Sequence, residues 1–224
     1  MISLICTGIH IENWKKLLKS IKNNQINYEV VMASFADAKL VADVFKDNPE
    51  LVHIPIEEIK PAQAMEVARR NAKGELIGWI TDDCIFEDNA LDKIYESWLS
   101  YTNNTILAIK NVDSESQHND LNTQRFFAGN LNTPQMAYYG FISKWYFDSL
   151  SGIDKRYIMG KWQDDLCMRT LANEGKIIKY EDTTIHVSRS NKNWFYNNNW
   201  SGANEDSENL ENSWVIGGNS PREN

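Results

Sequence analysis

Residues Leu76 to Cys84 read Leu-Ile-Gly-Trp-Ile-Thr-Asp-Asp-Cys, an apolar run that ends abruptly in two adjacent carboxylates, Asp82 and Asp83. A run of about four to eight apolar residues bounded by turn signals predicts a buried strand. Carboxylates after such a strand lie where open α/β sheets bind ligands, and their hard oxygens suit Mg²⁺ or Mn²⁺. The alternative is an ordinary acidic turn, because Asp is common in turns.

Strand-like and helix-like segments alternate up to this stretch. The predicted strands are 2–6, 28–32, 51–54 and 76–80, and the predicted helices are 12–21, 37–45 and 62–72. This alternation predicts parallel βαβ units with right-handed crossovers, and therefore an α/β fold with a mostly parallel, twisted central sheet flanked by helices. The sequence has neither Gly-x-Gly-x-x-Gly after the first strand nor a Walker loop, which argues against dinucleotide and P-loop chemistry.

The second half of the chain continues the pattern less regularly. Its predicted elements are helices 89–99, 144–150 and 161–173, strands 105–109, 137–142, 177–180 and 183–187, and a long polar loop at 111–135. Residues 1–190 are predicted to form one domain, with a tail at 191–224 that is rich in Asn and aromatic residues. A disordered tail rarely carries so many aromatic residues, so we expect it to fold back onto the body or to bind a partner, including a second copy of the chain.

A second acidic pair, Asp164 and Asp165, lies in the first turn of the helix predicted to begin at Lys161. Negative charge at this position is favoured by the helix dipole, which is one explanation for the pair. The other is that a carboxylate beside a pocket acts as a general base. His186, near a strand end, is either a core residue or a nitrogen ligand to a metal that carboxylates already hold.

Composition narrows the class of protein. The 224 residues are 42% hydrophobic and 24% charged, which indicates a soluble globular protein, and the net charge of −8 argues against general nucleic-acid binding. Cys6, Cys84 and Cys167 are far apart and match no zinc or disulfide pattern. No leader peptide and no membrane-spanning run is predicted, so a cytoplasmic location is expected.

The order of these elements resembles family 2 glycosyltransferases of the GT-A fold. Four stretches carry the resemblance, together with His186 as a late metal-binding histidine: Ser3 to Gly8 with the helix after it, Ala72 to Cys84 as the Ala-Lys-Gly-Glu segment and Asp-x-Asp strand, Ser151 to Tyr157 as the Gly-Gly-Phe-Asp segment, and Trp162 to Arg169 as the Glu-Asp-x-Asp-Leu-x-x-Arg segment. The match covers roughly residues 1 to 190.

This resemblance implies a nucleotide-diphosphate sugar donor bound by residues 1–110 and a carbohydrate or glycoconjugate acceptor bound by residues 111–190. It also implies Mn²⁺ or Mg²⁺ on the donor diphosphate. The predicted metal ligands are Asp83 and His186, with Asp82 on the metal or on the ribose. The other predicted donor-binding residues are Thr7, Gly8, Ser34, Lys60 and Gln63.

For an inverting transfer, the resemblance implies Asp164 as the base that deprotonates the acceptor hydroxyl, with Asp165 as the second candidate. Three positions depart from the family pattern. Thr81 replaces the first aspartate of Asp-x-Asp, Met32-Ala33-Ser34 replaces an aspartate pair, and Gln163 occupies the catalytic aspartate position in one alignment. These departures leave an alternative, a non-catalytic protein of the same fold that binds sugars or nucleotides or serves as a partner subunit.

Overall fold

We describe the protein from a computed structural model, which covers residues 1–8, 10–57, 59–113, 136–187, 201–215 and 220–221. The strands are β1 Ile2–Thr7, β2 Tyr28–Ser34, β3 Leu51–Pro55, β4 Leu76–Trp79, β5 Cys84–Phe86, β6 Thr105–Asp113, β7 Gly140–Ser143, β8 Lys176–Val187, β9 Trp214–Val215 and β10 Ser220–Pro221. The helices are α1 Ile11–Ile21, α2 Ala38–Phe45, α3 Pro61–Asn71, α4 Ala90–Trp98, α5 Lys144–Ser149, α6 Trp162–Ala172 and α7 Ser201–Ser213.

The first eight strands form one sheet in the order β3-β2-β1-β4-β7-β6-β8-β5. Strands β3, β2, β1 and β4 pair in parallel, as do β6 and β8. Strands β7 and β5 run in the opposite direction, because they pair antiparallel with β4, β6 and β8. The predicted α/β fold with a mostly parallel central sheet is therefore confirmed.

Alternating residues of the central strands belong to two hydrophobic cores, one on each face of the sheet. Leu4 of β1 packs with α1, α2 and α4, whose buried residues include Trp14, whereas Ile5 packs on the other face with α3, α5 and α6. Residues of a strand point to opposite faces in turn, so a strand buried on both sides is apolar throughout. This explains the continuous apolar runs of β1 and β4.

The largest differences from the sequence predictions are in strands β5, β6, β7 and β8. Strand β5 follows Asp83 directly, where the sequence analysis predicted no strand, because Cys84 to Phe86 pair with the end of β8. Strand β8 is continuous across a shift in register: Ile109 pairs with Tyr180, and the next residue, Lys110, pairs with Thr184. Such a bulge keeps one strand intact while it re-aims the chain.

Strand β7 begins at Gly140, later than predicted, although the carbonyl oxygen of Tyr139 still accepts the N–H of Ile109 in β6 at 3.0 Å. The indole N–H of Trp79 donates to the carbonyl oxygen of Tyr138 at 2.9 Å. Residues 111–113 of the predicted loop extend β6, and residues 114–135 lie outside the described part of the chain.

Within the tail predicted at 191–224, helix α7 lies against the body, as one of the two alternatives anticipated. Leu210 and Trp214 are buried in the core that contains α6. None of the helices in the described ranges is long and apolar enough to cross a membrane.

Candidate donor, metal and catalytic site

Most of the predicted donor-site residues lie at one edge of the sheet. Strands β2, β1 and β4 are parallel neighbours, so their carboxyl ends lie side by side. Thr7 ends β1, Ser34 ends β2, and the Asp82–Asp83 pair follows β4. The carboxyl edge of a parallel sheet is where α/β folds bind ligands. The fold therefore gathers side chains that are far apart in the sequence.

Asp82 is packed against the segment that leaves β1. A Cβ atom at Gly8 would overlap the Asp82 carboxylate, so only glycine permits this close approach. The backbone N–H of His10 donates to Oδ2 of Asp82 at 3.3 Å. These two contacts join the predicted nucleotide loop to the predicted metal-binding carboxylates.

The pKa of Asp82 is raised from its ordinary value to about 7, first by burial and then by the negative charge of Asp83. The N–H of His10 opposes this rise but does not cancel it. A carboxyl group with a raised pKa binds a cation more strongly once it is ionised, because the cation relieves both the burial and the repulsion.

Asp83 is held by Thr81, the residue that replaces the first aspartate of the family motif. The Thr81 hydroxyl donates to Oδ1 of Asp83 and lies 2.8 Å from the hydroxyl of Tyr139. Thr81 therefore orients the carboxylate through its short hydroxyl side chain. Tyr139 was not predicted, because nothing in the local sequence pairs it with residue 81.

His186 lies opposite Ile85 in the β5–β8 pairing, and its Nε2 atom is 3.5 Å from Oε1 of Glu87. Glu87 also accepts the N–H of Thr184 at 3.0 Å. Among the residues that the structure describes, no group of three or more His, Cys, Asp and Glu side chains is arranged to hold a metal ion. Asp82, Asp83 and His186 do not converge on one point in this arrangement.

The residues still fit a divalent metal that is shared with a diphosphate. Mg²⁺ and Mn²⁺ sites at phosphates commonly use one or two protein carboxylates, with phosphate oxygens and water as the remaining ligands. Asp82 and Asp83 supply two such carboxylates side by side, and burial of Asp82 beside a like charge favours a cation between them.

Ser34 has a structural partner that the sequence did not indicate. Its hydroxyl lies 3.1 Å from Nε2 of His53 and accepts the N–H of Ala36 at 3.3 Å. Burial lowers the pKa of the His53 ring, while the contact with Ser34 opposes this effect. The Ser34–His53 contact fixes the chain where it leaves β2.

Lys60 and Gln63 lie at the start of α3, and both side chains are exposed. The Gln63 side-chain oxygen accepts the N–H of Lys60 at 3.4 Å, which caps the helix. The next N–H, that of Ala62, donates to the carbonyl oxygen of Ile158 at 3.0 Å. This contact joins the start of α3 to the loop that precedes α6.

The second acidic pair opens α6, and its two carboxylates have different surroundings. Oδ2 of Asp164 lies 3.2 Å from Nζ of Lys161. Burial raises the pKa of Asp164, while Lys161 lowers it. Asp165 has both oxygens engaged: Oδ2 accepts from Nε of Arg169 at 2.8 Å and Oδ1 from Nε1 of Trp214 at 2.9 Å. Lys161 and Trp214 were not among the predicted site residues.

Several solved structures of other proteins resemble this fold. TarS 1-349 of S. aureus in complex with UDP-GlcNAc matches with a TM-score of 0.66 and 13% identity, over 85% of this chain and 59% of TarS 1-349. The mannosyltransferase PcManGT of Pyrobaculum calidifontis, in complex with GDP-Man and Mn²⁺, matches with a TM-score of 0.66 and 14% identity, over 87% of this chain and 59% of the enzyme. GalNAc-T7 with UDP, GalNAc and Mn²⁺ matches with a TM-score of 0.70 and 11% identity, over 96% of this chain and 49% of GalNAc-T7.

These likenesses show that the chain has the GT-A fold, as the sequence predicted. The chain spans about three fifths of the TarS structures or less. No family model and no curated protein sequence matches the chain. The assignment to family 2 stays a prediction.

Proposed function

We propose that this protein is a metal-dependent glycosyltransferase that moves a sugar from a nucleotide-diphosphate sugar to an acceptor hydroxyl with inversion. The observation that carries the proposal is the Asp82–Asp83 pair at the carboxyl edge of a GT-A sheet, with Asp82 packed against Gly8. The fold's relatives support the donor class, because TarS has been solved with UDP-GlcNAc and PcManGT with GDP-Man and Mn²⁺.

In the proposed reaction, Asp83 and Asp82 bind the metal, and Thr7, Gly8, Ser34, Lys60 and Gln63 surround the donor. His186 is a further ligand in the proposal, if its ring leaves Glu87. When bound by these residues, Mn²⁺ or Mg²⁺ would supply positive charge to neutralise the departing nucleoside diphosphate. The acceptor is a hydroxyl of a carbohydrate or glycoconjugate, in polysaccharide or glycoconjugate synthesis.

Asp164 is the proposed base. Its carboxylate takes the proton of the acceptor hydroxyl while the hydroxyl oxygen bonds to the anomeric carbon and the bond from that carbon to the diphosphate oxygen breaks. Burial raises the pKa of Asp164, and Lys161 opposes that rise by favouring the ionised carboxylate. Asp165 is the weaker candidate, because Arg169 and Trp214 occupy its two oxygens.

A thermal-shift screen with Mn²⁺ and a panel that includes UDP-GlcNAc and GDP-Man tests this proposal. We expect one nucleotide class to raise the melting temperature and Asp83→Ala to abolish the increase. Asp47→Asn, which removes an exposed carboxylate in the loop after α2, is the matched control and should keep it. Release of nucleoside diphosphate from the stabilising donor then measures catalysis.

The second candidate is a non-catalytic binding protein of the same fold. It is favoured by Thr81 in place of an aspartate and by Gln163 at one alignment of the catalytic position. Stabilisation by a nucleotide sugar without any nucleoside diphosphate release, with or without glycan acceptors, would support this alternative. The three cysteines are buried free thiols, which agrees with the cytoplasmic location that we propose.

A further inference from the structure

Helix α7 directs Asp206 into the body of the protein, where the residue is 0% exposed. Its Oδ1 accepts the N–H of Ile158 at 2.7 Å, and its Oδ2 accepts the N–H groups of Met159 at 2.7 Å and Gly160 at 2.8 Å. A buried carboxylate is strongly unfavourable unless hydrogen-bond donors meet its charge. The three successive N–H groups do so, and Asp206 in turn fixes the conformation of residues 158–160.

This loop leads directly to the proposed base. Lys161 follows Gly160, adopts a φ of 59° and begins α6. A non-glycine residue in that left-handed region costs about 1 kcal/mol and persists only where its surroundings hold it. Because Nζ of Lys161 lies 3.2 Å from Asp164, the loop conformation determines where the cation sits relative to the base.

Trp214, which directly follows the C-terminal end of α7, makes a second contact between this segment and the start of α6. Its Nε1 donates to Asp165, the neighbour of the base, at 2.9 Å. Gly202, Asp206, Leu210 and Trp214 are spaced by four residues, so they form one stripe on the buried side of α7 and just beyond it.

The residues of this stripe indicate that α7 does more than cover an apolar surface of the body. A helix that only covers a core gains most from aliphatic side chains at the centre of its buried stripe. Asp206 occupies that centre, and within the described part of the chain its side-chain hydrogen bonds go to this one loop. Gly202 lets the helix approach this loop, because a Cβ there would lie 2.8 Å from Cγ2 of Ile158.

We propose that Asp206 and Trp214 are positioning residues, which hold the Lys161–Asp164 pair in its working geometry through the loop at 158–160 and through Asp165. The segment that contains α7 is then a part of the catalytic half of the protein. The inference rests on the proposed function for the role of Asp164 as base, but its structural consequence is measurable without any substrate.

The first test compares Asp206→Asn with Glu208→Gln, which removes one negative charge from an exposed position of the same helix. We expect faster amide exchange at residues 158–160 in Asp206→Asn alone. Carboxyl-carbon NMR should also show a higher titration midpoint for Asp164, because Lys161, which lowers its pKa, is released, while Asp165 and burial continue to raise it. An Asp164 titration identical to that of Glu208→Gln would overturn the proposal.

The second test measures release of nucleoside diphosphate with Mn²⁺ and UDP-GlcNAc or GDP-Man, whichever stabilises the protein. We expect kcat to fall about tenfold or more in Asp206→Asn with KM for the donor nearly unchanged, because misplacing a catalytic group slows the reaction without weakening donor binding. An unchanged kcat, or equal losses in kcat and donor affinity, would overturn the positioning role.

If Asp206→Asn does not fold, Trp214→Phe decides. It keeps an aromatic ring in the core and removes the N–H to Asp165 together with the five-membered ring of the indole, so kcat should fall several-fold, and a wild-type kcat overturns the proposal. If the wild-type protein turns over no donor, the proposed function fails instead. The Asp164 titration, measured in whichever of the two variants folds, then decides the positioning inference alone.

Discussion

The two acidic pairs of this protein, Asp82–Asp83 and Asp164–Asp165, are alike in sequence and opposite in their surroundings. At the start of α6, each carboxylate has a cationic partner within the same helix or its cap, Lys161 for Asp164 and Arg169 for Asp165. After β4, the main influences on Asp82 are burial and the charge of its neighbour, and both raise its pKa.

This difference suits the β4 pair to binding a metal cation and the α6 pair to accepting a proton without a metal. Each carboxylate of the α6 pair has a cation of the protein beside it, and at Asp164 this cation opposes the pKa increase that burial causes. Asp164 is therefore suited to act as a base that is held in a fixed place. The β4 pair concentrates negative charge at a ligand-binding edge, and an external divalent ion would relieve it. The proposed division of labour between metal binding and proton transfer follows from this contrast.

Asp83→Ala should produce the largest effect. If the β4 pair binds the metal, nucleoside diphosphate release should fall about 1,000-fold or more, because metal stabilisation of the leaving group contributes several kcal/mol. Turnover is measured at saturating Mn²⁺ with the stabilising donor, and Asp47→Asn is the control. Turnover within tenfold of wild type would contradict the metal assignment.

Asp164→Asn should have the next largest effect and a different signature. General base catalysis typically contributes about 100-fold to 10,000-fold, so kcat should fall within that range. Donor binding in the thermal-shift assay should persist, because the change lies outside the β4 pair. Retained transfer would move the role to Asp165 or end the inverting proposal.

The acidic pair at the carboxyl edge of the sheet can be predicted from the sequence, because the pattern that predicts it lies within a short stretch of the chain. The apolar run of β4 and the alternation of helices and strands are enough to place Asp82–Asp83 at the carboxyl edge. Thr7 and Ser34 are added as donor-site residues through the family resemblance. The resemblance to GT-A glycosyltransferases adds the fold, which the structural likenesses bear out.

Long-range partners could not be predicted, because no periodicity encodes them. The contact between His186 and Glu87 depends on the antiparallel pairing of β5 with β8, and β5 itself is only three residues long. Asp206 interrupts the apolar stripe of α7, so a hydrophobic pattern search passes over that helix. In both cases the deciding interaction joins an acidic side chain to a distant segment of backbone or to a distant side chain.

The free energy of unfolding of Asp165→Asn tests the different roles that we give to the carboxylates. The change leaves Arg169 without its buried counter-charge, which should lower the free energy of unfolding by about 3 kcal/mol. Asp164→Asn should cost less than about 1 kcal/mol, because burial already favours the neutral form of that carboxyl group, whose pKa is raised. Urea unfolding at neutral pH measures both, and equal losses would contradict the different roles that we give to the two residues.

Asp82→Asn should change stability in the opposite direction, because it should stabilise the metal-free protein. The folded pKa of Asp82 is about 7, well above its ordinary value of 3.8. Between these values the folded state holds a proton that the unfolded state has lost, so stability falls as pH rises through this window and the penalty is complete above it.

An asparagine does not titrate and escapes this penalty. We therefore expect Asp82→Asn to be more stable than wild type by about 4 kcal/mol at pH 8 in EDTA, since each pKa unit corresponds to about 1.4 kcal/mol, and to lose most of that advantage at about pH 4. Asp47→Asn should show no such dependence on pH. An Asp82→Asn variant that is less stable than wild type at pH 8 would mean that the β4 carboxylates are already compensated within the protein, as those of α6 are, and the contrast between the two pairs would disappear.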